Sequence, residues 1–252
     1  IRPSAVSGYG NERKIMILSG LGDQSLRLLA DRYSEIRYED SIGSGIIFGC
    51  LRETSDTNTS TGDEITDSWA KVFDLQYQRM LESQEETFVW RSSYDGKSIS
   101  KEEMDEWLEA GLHGMREFVT ADFSVLEIGC GNGLIYSKLI DQASHYVGVD
   151  TAPASLKALA EGGAYVGNAA KTELFEAEAR GVAGIRMDPR KLVILNSVIQ
   201  YFPSLEYLLE VIDELGAVVA EDSVIYLGDV RSLSLQKLFC FDVARSKFSG
   251  AD

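Results

Sequence analysis

The sequence is poor in the residues that cross-link small domains or bind transition metals. Its 252 residues include three cysteines, Cys50, Cys130 and Cys240, and two histidines. An odd number of widely spaced cysteines argues against a disulfide framework and against a cysteine-rich zinc site, and it favours reduced thiols in a cytoplasmic protein. Two histidines also argue against a histidine-based site, so no metal is predicted.

Positive charge and long apolar runs are scarce as well. Lys and Arg number 24 against 40 Asp and Glu, which gives a formal net charge of -16. Such an acidic surface repels phosphate backbones and anionic lipid, so neither nucleic acid nor a membrane is predicted as a partner. No apolar run is long enough to cross a bilayer. The length suits one α/β domain with an appendage, or two small domains.

The N-terminal segment, residues 1–51, predicts a small α/β fragment of unknown identity. The run KIMILS at 14–19 is typical of a short buried strand. A helix is predicted over 23–33, and further strands over 35–39 and 45–51.

Two segments with different composition follow. Residues 52–67 are almost all polar and rich in Ser, Thr and Asp, which predicts a linker and the main domain boundary. Residues 68–120 predict a helical extension or lid, because their apolar side chains recur at three- and four-residue steps. Within this region Ser100 and Glu103 have the spacing of a capping box at a helix start.

From residue 121 to 252 the pattern alternates between strand and helix. Five apolar strands, each followed by a helix, predict a doubly wound α/β domain with a parallel sheet covered on both faces. The third of these strands is assigned to AYVGN, and a helix is assigned to 171–179 after it. The predicted strands lie at 124–128, 146–150, 164–168, 191–198 and 223–230.

The first strand of this domain ends in a glycine loop with an acidic residue before it. Gly129, Gly131 and Gly133 give the spacing G-x-G-x-G, and Glu127 precedes the first glycine by two positions. Glycine lets backbone N–H groups approach a ligand closely at a helix start. A carboxylate at this position would repel a pyrophosphate, but it suits the ammonium of an amino acid. S-adenosylmethionine, which has an amino-acid tail and no phosphate, is therefore favoured over NAD.

A second acidic residue, Asp150, ends the second strand about 20 residues after the glycine loop. In open sheets of this kind, a carboxylate at that point accepts both ribose hydroxyls of a nucleoside ligand. Together the two features predict a nucleoside site at the carboxyl ends of the strands.

Methyl transfer from a sulfonium is an in-line displacement that depends mainly on positioning the nucleophile. Candidates for this task follow the fourth and fifth strands. They are Asn196, Ser197, Gln200, Tyr201, Asp229 and Arg231. We take Asp229 as the proton acceptor or orienter of an amine, although its pairing with Arg231 is an alternative.

Four blocks of the sequence resemble a known family. They are SSYDGKSISKEEMDEWL from 92, VLEIGCGNG from 125, LNSVIQYFPSLEYLLEVI from 195 and GDVRSLSL from 228. The region 68–246 is similar to the methyltransferase domains embedded in nonribosomal peptide synthetases of the cyclosporin and enniatin type. This resemblance implies a class I methyltransferase (Rossmann-like) fold and S-adenosylmethionine as cofactor. It also implies an aminoacyl or peptidyl thioester on a peptidyl carrier protein as acceptor, with methylation mostly at the α-nitrogen, and neighbouring synthetase domains as partners.

The resemblance also implies roles for individual residues. Tyr94 is expected to contact donor or substrate, and Asn168 with Ala169 would stand at the adenine. Catalysis is assigned to Asp229, Gln200 and Tyr201. Asn196 and Ser197 would bind the donor, and Arg231 and Tyr201 the substrate.

Two departures from the family pattern are noted. The third strand, as assigned, ends without the usual acidic residue. The closing antiparallel hairpin is not visible after the last helix, so the core lacks it unless the first 50 residues supply part of it. Alternatives to an N-methyltransferase are therefore a C-methyltransferase, a methyltransferase-like epimerase, and a catalytically inactive docking or scaffold module.

Overall fold

The computed structural model describes residues 14–19, 37–41, 44–50, 63–83, 90–119, 123–185, 190–230 and 233–249. Eight strands in these ranges form one sheet. The strands are β1 (Lys14–Ser19), β2 (Arg37–Ser41), β3 (Ser44–Cys50), β4 (Ser124–Ile128), β5 (His145–Asp150), β6 (Thr172–Glu176), β7 (Arg190–Asn196) and β8 (Val219–Gly228). The helices are α1 (Asp63–Ser83), α2 (Lys101–Met115), α3 (Tyr136–Leu139), α4 (Pro153–Glu161), α5 (Gly163–Asn168), α6 (Leu205–Val218) and α7 (Leu233–Ser249).

The doubly wound sheet predicted from the sequence is confirmed. Strands β4 to β8 are mutually parallel and stand in the order β6-β5-β4-β7-β8. Strand order reverses at β4, which pairs with β5 on one side and with β7 on the other. In such sheets ligands bind beyond the carboxyl ends of the strands at this reversal point. The glycine loop that follows β4 therefore lies at the expected place for a site.

Both faces of the sheet are covered by apolar side chains. On one face α6 packs against β4, β5, β7 and β8 through Val211, Ile212 and Leu215, which are all fully buried. On the other face α2 and α3 contribute a second cluster that includes Leu112 and Tyr136. Central strands that are buried on both sides read as continuous apolar runs, as the run at the end of β7 does.

The three N-terminal strands extend the sheet beyond β8. Strand β1 pairs with β8 in parallel, β3 pairs with β1 antiparallel, and β2 pairs with β3 antiparallel. The predicted strands at 14–19, 35–39 and 45–51 are thus present, with the second shifted to Arg37–Ser41. An antiparallel pair does close this edge of the sheet, and the first 50 residues supply it. The helix predicted at 23–33 lies outside the described residues.

The third strand of the core was assigned to the wrong segment. Residues 164–168 belong to helix α5, and strand β6 occupies Thr172–Glu176, where the sequence predicted a helix. Both segments are short, and periodicity cannot distinguish a strand from a helix over so few residues. Pairing decides the matter, because β6 runs alongside β5 from Tyr146↔Thr172 to Asp150↔Glu176. Helix α1 also begins at Asp63, inside the segment predicted as a linker.

The capping box predicted for α2 is confirmed. The Ser100 hydroxyl accepts a hydrogen bond from the Glu103 N–H at 3.2 Å, and the Ser100 N–H donates to Glu103 Oε2 at 3.0 Å. These bonds satisfy two backbone N–H groups at the helix start.

Replacing Ser100 by Ala should therefore lower the free energy of unfolding by about 1 kcal/mol, because the first turn of α2 loses its side-chain acceptor. Urea titration followed by circular dichroism measures this. The exposed Ser93→Ala is the control and should unfold like the wild type. Equal midpoints for both variants would contradict a stabilising role for the capping box.

Candidate functional site

The loop after β4 has a backbone conformation that favours glycine at three positions. Gly129, Gly131 and Gly133 have φ values of 72°, 54° and 84°. The first turn is anchored to the neighbouring strand, since the N–H groups of Gly129 and Cys130 donate to the Val149 carbonyl at 2.7 and 3.1 Å. Left-handed backbone at alternate positions needs residues without a Cβ, which explains the G-x-G-x-G spacing.

Asp150 connects this loop to the end of β5. Its Oδ2 accepts a hydrogen bond from the Gly131 N–H and its Oδ1 accepts one from the Ala152 N–H, both at 2.9 Å. Burial raises the pKa of the Asp150 carboxyl above its ordinary value, and the backbone hydrogen bonds oppose that rise. Each carboxylate oxygen has a second lone pair, so Asp150 can still accept the hydroxyls of a ribose.

Glu127 is a buried carboxyl directly beneath the glycine loop. Its side chain accepts a hydrogen bond from the Tyr146 hydroxyl. Burial raises the pKa of Glu127 to about 8; the bond from Tyr146 opposes the rise, and the charge of Asp150 adds to it. Without a ligand, Glu127 is therefore largely protonated at neutral pH. A cationic group placed against it would favour the carboxylate form.

Helix α1 lies across the carboxyl edge of the sheet and is bonded to it at both ends of the cleft. Near its start, the Thr66 hydroxyl donates to Glu178 Oε1 at 3.2 Å. In its middle, Asp74 Oδ1 accepts a hydrogen bond from the Ala154 N–H at 2.8 Å, which supplies an acceptor at the start of α4.

The aromatic side chains of α1 cover the cleft. Trp69 and Phe73 pack on Tyr201, with ring centroids 4.8 and 5.0 Å apart. Tyr77 is buried over the glycine loop, so close that a Cβ at Gly131 would lie 2.6 Å from the Tyr77 hydroxyl oxygen. Burial, followed by the charge of Asp150, raises the pKa of Tyr77. The predicted helical extension therefore supplies one wall of the site.

The resulting cleft is lined mainly by aromatic and small residues. The lining includes three carboxyl groups, Glu127, Asp150 and Glu178, and no Lys, Arg or His among its described residues. Its aromatic members are Trp69, Phe73, Tyr77, Trp90, Trp107, Tyr201, Phe202 and Tyr207.

Seven of the residues predicted for the site line this cleft. They are Glu127, Gly129, Gly131, Asp150, Asn196, Ser197 and Tyr201. Gly133 instead allows close packing, because a Cβ there would lie 2.9 Å from Leu159 Cγ. The Gln200 side chain is not in the lining, and its Oε1 is buried without a hydrogen-bond partner among the described residues. Arg231 lies outside the described residues.

Three residues predicted to bind the cofactor are placed elsewhere. Asn168 ends helix α5, where its amide donates to Asp141 at 3.2 Å and to the Ala164 carbonyl at 3.0 Å. Ala169 follows it, so both stand at the amino end of β6 and not at the carboxyl end. Tyr94 packs on α7, donating to Asp242 Oδ2 at 3.2 Å.

The residues that follow the third strand remove one of the two departures from the family pattern, the missing acidic residue. Ala177 and Glu178 follow β6 and line the cleft. The Glu178 carboxylate accepts hydrogen bonds from Thr66 and, at 3.3 Å, from the Tyr207 hydroxyl. An acidic residue does follow the third strand, and it was missed because the strand itself was assigned eight residues too early, at 164–168 instead of Thr172–Glu176.

Sequence reasoning also missed the aromatic wall. Trp69, Phe73 and Tyr77 belong to the apolar side chains that recur at three- and four-residue steps after residue 68, but nothing in this spacing says what their helix face covers. Trp90 and Trp107 pack on each other with centroids 5.5 Å apart and both line the cleft.

Comparison with known proteins agrees with this geometry. A family profile described as "Methyltransferase domain" matches residues 126–225. Among curated proteins, the chain is 38% identical over 152 residues to enniatin synthase of Fusarium equiseti, which is 57% of this chain and 4% of that protein. It is 37% identical over 154 residues to the beauvericin nonribosomal cyclodepsipeptide synthetase of Beauveria bassiana, covering 60% of this chain and 5% of that protein. The chain thus spans only a small fraction of these relatives.

Among solved structures, phosphoethanolamine N-methyltransferase 1 of Haemonchus contortus, in complex with phosphoethanolamine and S-adenosylhomocysteine, superposes with a TM-score of 0.52. The match is 18% identical and covers 67% of this chain and 33% of that one. At this identity the likeness concerns the fold alone. No helix in the described part of the chain combines the length and apolar character needed to cross a membrane.

The raised pKa of Glu127 predicts how stability depends on pH. A carboxyl whose pKa rises from 4.5 to about 8 on folding stabilises the folded state below pH 4.5, and that contribution disappears as the pH rises towards 8. The free energy of unfolding of the unliganded wild type should therefore fall more steeply between about pH 5 and about pH 8 than that of Glu127→Gln. Urea titrations across this range measure the slopes. The exposed Glu176→Gln should keep the wild-type slope, and a wild-type slope in Glu127→Gln would contradict the argument.

The glycine loop, the buried Glu127 and the Asp150 carboxylate lie on consecutive β-α units, and the matched family covers this part of the chain. The chain therefore has a class I, Rossmann-like methyltransferase fold, matches the methyltransferase-domain family over residues 126–225, and is homologous to segments of nonribosomal peptide synthetases.

Proposed function

We propose that this domain transfers the methyl group of S-adenosylmethionine to the α-amine of an aminoacyl or peptidyl thioester held on a peptidyl carrier protein. The observation that carries the proposal is a covered, aromatic cleft whose described lining has three carboxyl groups and no cationic side chain. Such a cleft favours a cationic donor and an amine acceptor over phosphate-bearing ligands. The relatives' names, which are those of peptide synthetases, support the choice of acceptor and of neighbouring synthetase domains as partners. A cytoplasmic location is part of the same proposal.

The three carboxyl groups can each take one part of the donor. Asp150, at the end of β5, is placed to accept the ribose hydroxyls. Glu127, buried below the glycine loop, suits the ammonium of the methionine moiety. Glu178, at the end of β6, suits the adenine amino group, since its carboxylate is already held in place by Thr66 and Tyr207.

The acceptor then belongs at the ends of β7 and β8. The amine lone pair attacks the methyl carbon as the bond from carbon to sulfur breaks, and S-adenosylhomocysteine leaves with that electron pair. The methylated ammonium afterwards loses a proton. In this proposal Asn196 and Tyr201 form the wall at the donor methyl, and Asp229 orients the amine or accepts its proton. Gln200 and Arg231 stay proposed members of the site.

The scaffold alternative loses part of its support in this structure. It depended on a third strand without an acidic residue, and Glu178 now follows that strand and lines the cleft. Analysis of the reaction product distinguishes N-methylation from methylation at carbon and from epimerisation.

The proposal is tested by incubating the protein with labelled S-adenosylmethionine and a carrier protein loaded with an aminoacyl group. We expect the loaded carrier to gain one CH₂ unit in intact-mass analysis, with fragmentation placing the label on the α-nitrogen. A label on carbon would indicate a C-methyltransferase. Inverted stereochemistry without any mass change would indicate an epimerase, and donor binding without either change would indicate a scaffold.

Asp150→Asn should abolish this mass gain at limiting donor, because its ribose contacts weaken. We expect donor affinity, measured by calorimetry, to drop by roughly 10- to 100-fold. The matched control is Asp141→Asn, an exposed acid outside the cleft, which should bind the donor like the wild type. Unchanged affinity in Asp150→Asn would remove Asp150 from the donor site.

Glu178→Gln tests the adenine end separately. The variant keeps the shape of the side chain but replaces one carboxylate oxygen by an NH₂ donor, so we expect donor affinity to fall by about tenfold. Glu176→Gln, two residues earlier and exposed, is the matched control and should have no effect. Equal affinities for both variants would contradict the adenine contact.

A further inference from the structure

Two residues other than glycine in the described part of the chain have a left-handed backbone. Ser197 has a φ of 59° and Asp229 has a φ of 53°. Each directly follows a strand, β7 and β8 respectively, and these strands are parallel neighbours. Residues with a Cβ seldom adopt this conformation, and where they do the surrounding structure must hold them there.

The two strained residues are bonded to each other. The Ser197 hydroxyl donates a hydrogen bond to Asp229 Oδ2, and the Ser197 N–H donates to the Gly228 carbonyl at 3.1 Å. Backbone and side-chain bonds therefore link the ends of β7 and β8 at one point. We call this pair of residues, Ser197 and Asp229, the strand-end clasp.

Close contacts on both sides restrict the segment that contains Ser197, residues 196–198. A Cβ at Gly228 would lie 2.0 Å from Asn196 Oδ1, and a Cβ at Gly129 would lie 2.4 Å from Val198 Cγ2. The three consecutive residues Asn196, Ser197 and Val198 all line the cleft. Their positions are thus restricted by close contacts with glycines at the ends of both neighbouring strands, β4 and β8.

From this arrangement we infer that Ser197 is a positioning residue for Asp229 and not a ligand of the methyl donor. The sequence assigned Ser197 to the cofactor. In the structure Ser197 is buried and its single hydroxyl proton is used in the bond to Asp229, an exposed residue. Ser197 thereby holds one carboxylate oxygen of Asp229 directly beyond the end of β8, and in this inference the other oxygen, Oδ1, meets the acceptor amine.

The inference rests on the proposed methyl transfer, and it makes a distinct claim about that reaction. A donor ligand would affect binding of S-adenosylmethionine. A residue that acts through Asp229 should affect turnover while donor binding is preserved, and its effect should require the Asp229 carboxylate.

The test compares Ser197→Ala, Ser197→Gly and Asp229→Asn, and the double variant Ser197→Ala with Asp229→Asn, on the loaded carrier protein. Ser197→Ala removes the hydroxyl and keeps the Cβ, whereas Ser197→Gly also relieves the left-handed backbone. We expect both to lower kcat by about tenfold while the dissociation constant of the donor changes by less than about twofold. In the Asp229→Asn background, Ser197→Ala should lower kcat by less than about twofold, because the two residues act as a unit.

Ser137→Ala is the matched control, since it removes an exposed serine hydroxyl that bonds the Leu134 carbonyl at 2.8 Å outside this loop. It should leave kcat unchanged. Three results would each overturn the positioning role and leave methyl transfer standing. They are wild-type turnover in Ser197→Ala, multiplicative effects of the two substitutions in the double variant, and a loss of donor affinity as large as the loss of kcat. A wild type that transfers no methyl group would overturn both proposals.

Discussion

The site depends on one constraint, the close contact between the glycine loop and the end of β5. The Asp150 carboxylate bridges the Gly131 N–H and the Ala152 N–H, and it can do so only because the loop turns through left-handed residues. A side chain at Gly131 would also displace Tyr77, the residue through which α1 rests on the loop. Asp150, the glycine loop and the covering helix α1 are therefore parts of one packing arrangement.

The same arrangement explains why the cleft suits a cation. Covering the strand ends with α1 removes Glu127, Asp150 and neighbouring groups from water, and burial raises the pKa of both carboxyls. A positive ligand restores their charged forms and replaces the lost solvation with a direct interaction. The aromatic residues of α1 contribute apolar surface and π faces without adding charge of their own. The suitability of the cleft for a cation thus depends on the helical extension as well as on the sheet.

Much of the cleft around the glycine loop was predictable from the sequence, because the local pattern of strand and glycine residues indicates it directly. Gly129, Gly131 and Asp150 follow apolar strands, and strand ends of a parallel sheet meet at one edge. The third strand was not predictable, since AYVGN and TELFE are equally short and only pairing with β5 selects the second. Because of that error the adenine contact was predicted at Asn168 and Ala169, whereas the acidic residue that follows β6 and lines the cleft is Glu178. The contact of Tyr94 with α7 was not predictable either, because α7 is distant from Tyr94 in the sequence.

The sequence by itself determined the fold class, the glycine loop, the placement of Glu127 and Asp150 at neighbouring strand ends, and the capping box of α2. Each of these features depends on a few residues close together in the sequence, and the spacing of those residues corresponds to one local backbone geometry. Only the tertiary structure decided that the first strands complete the sheet beyond β8, that α1 covers the cleft, and that Ser197 bonds Asp229. These are contacts between segments far apart in the chain, and their partners are chosen by burial and hydrogen-bond pairing in the folded molecule.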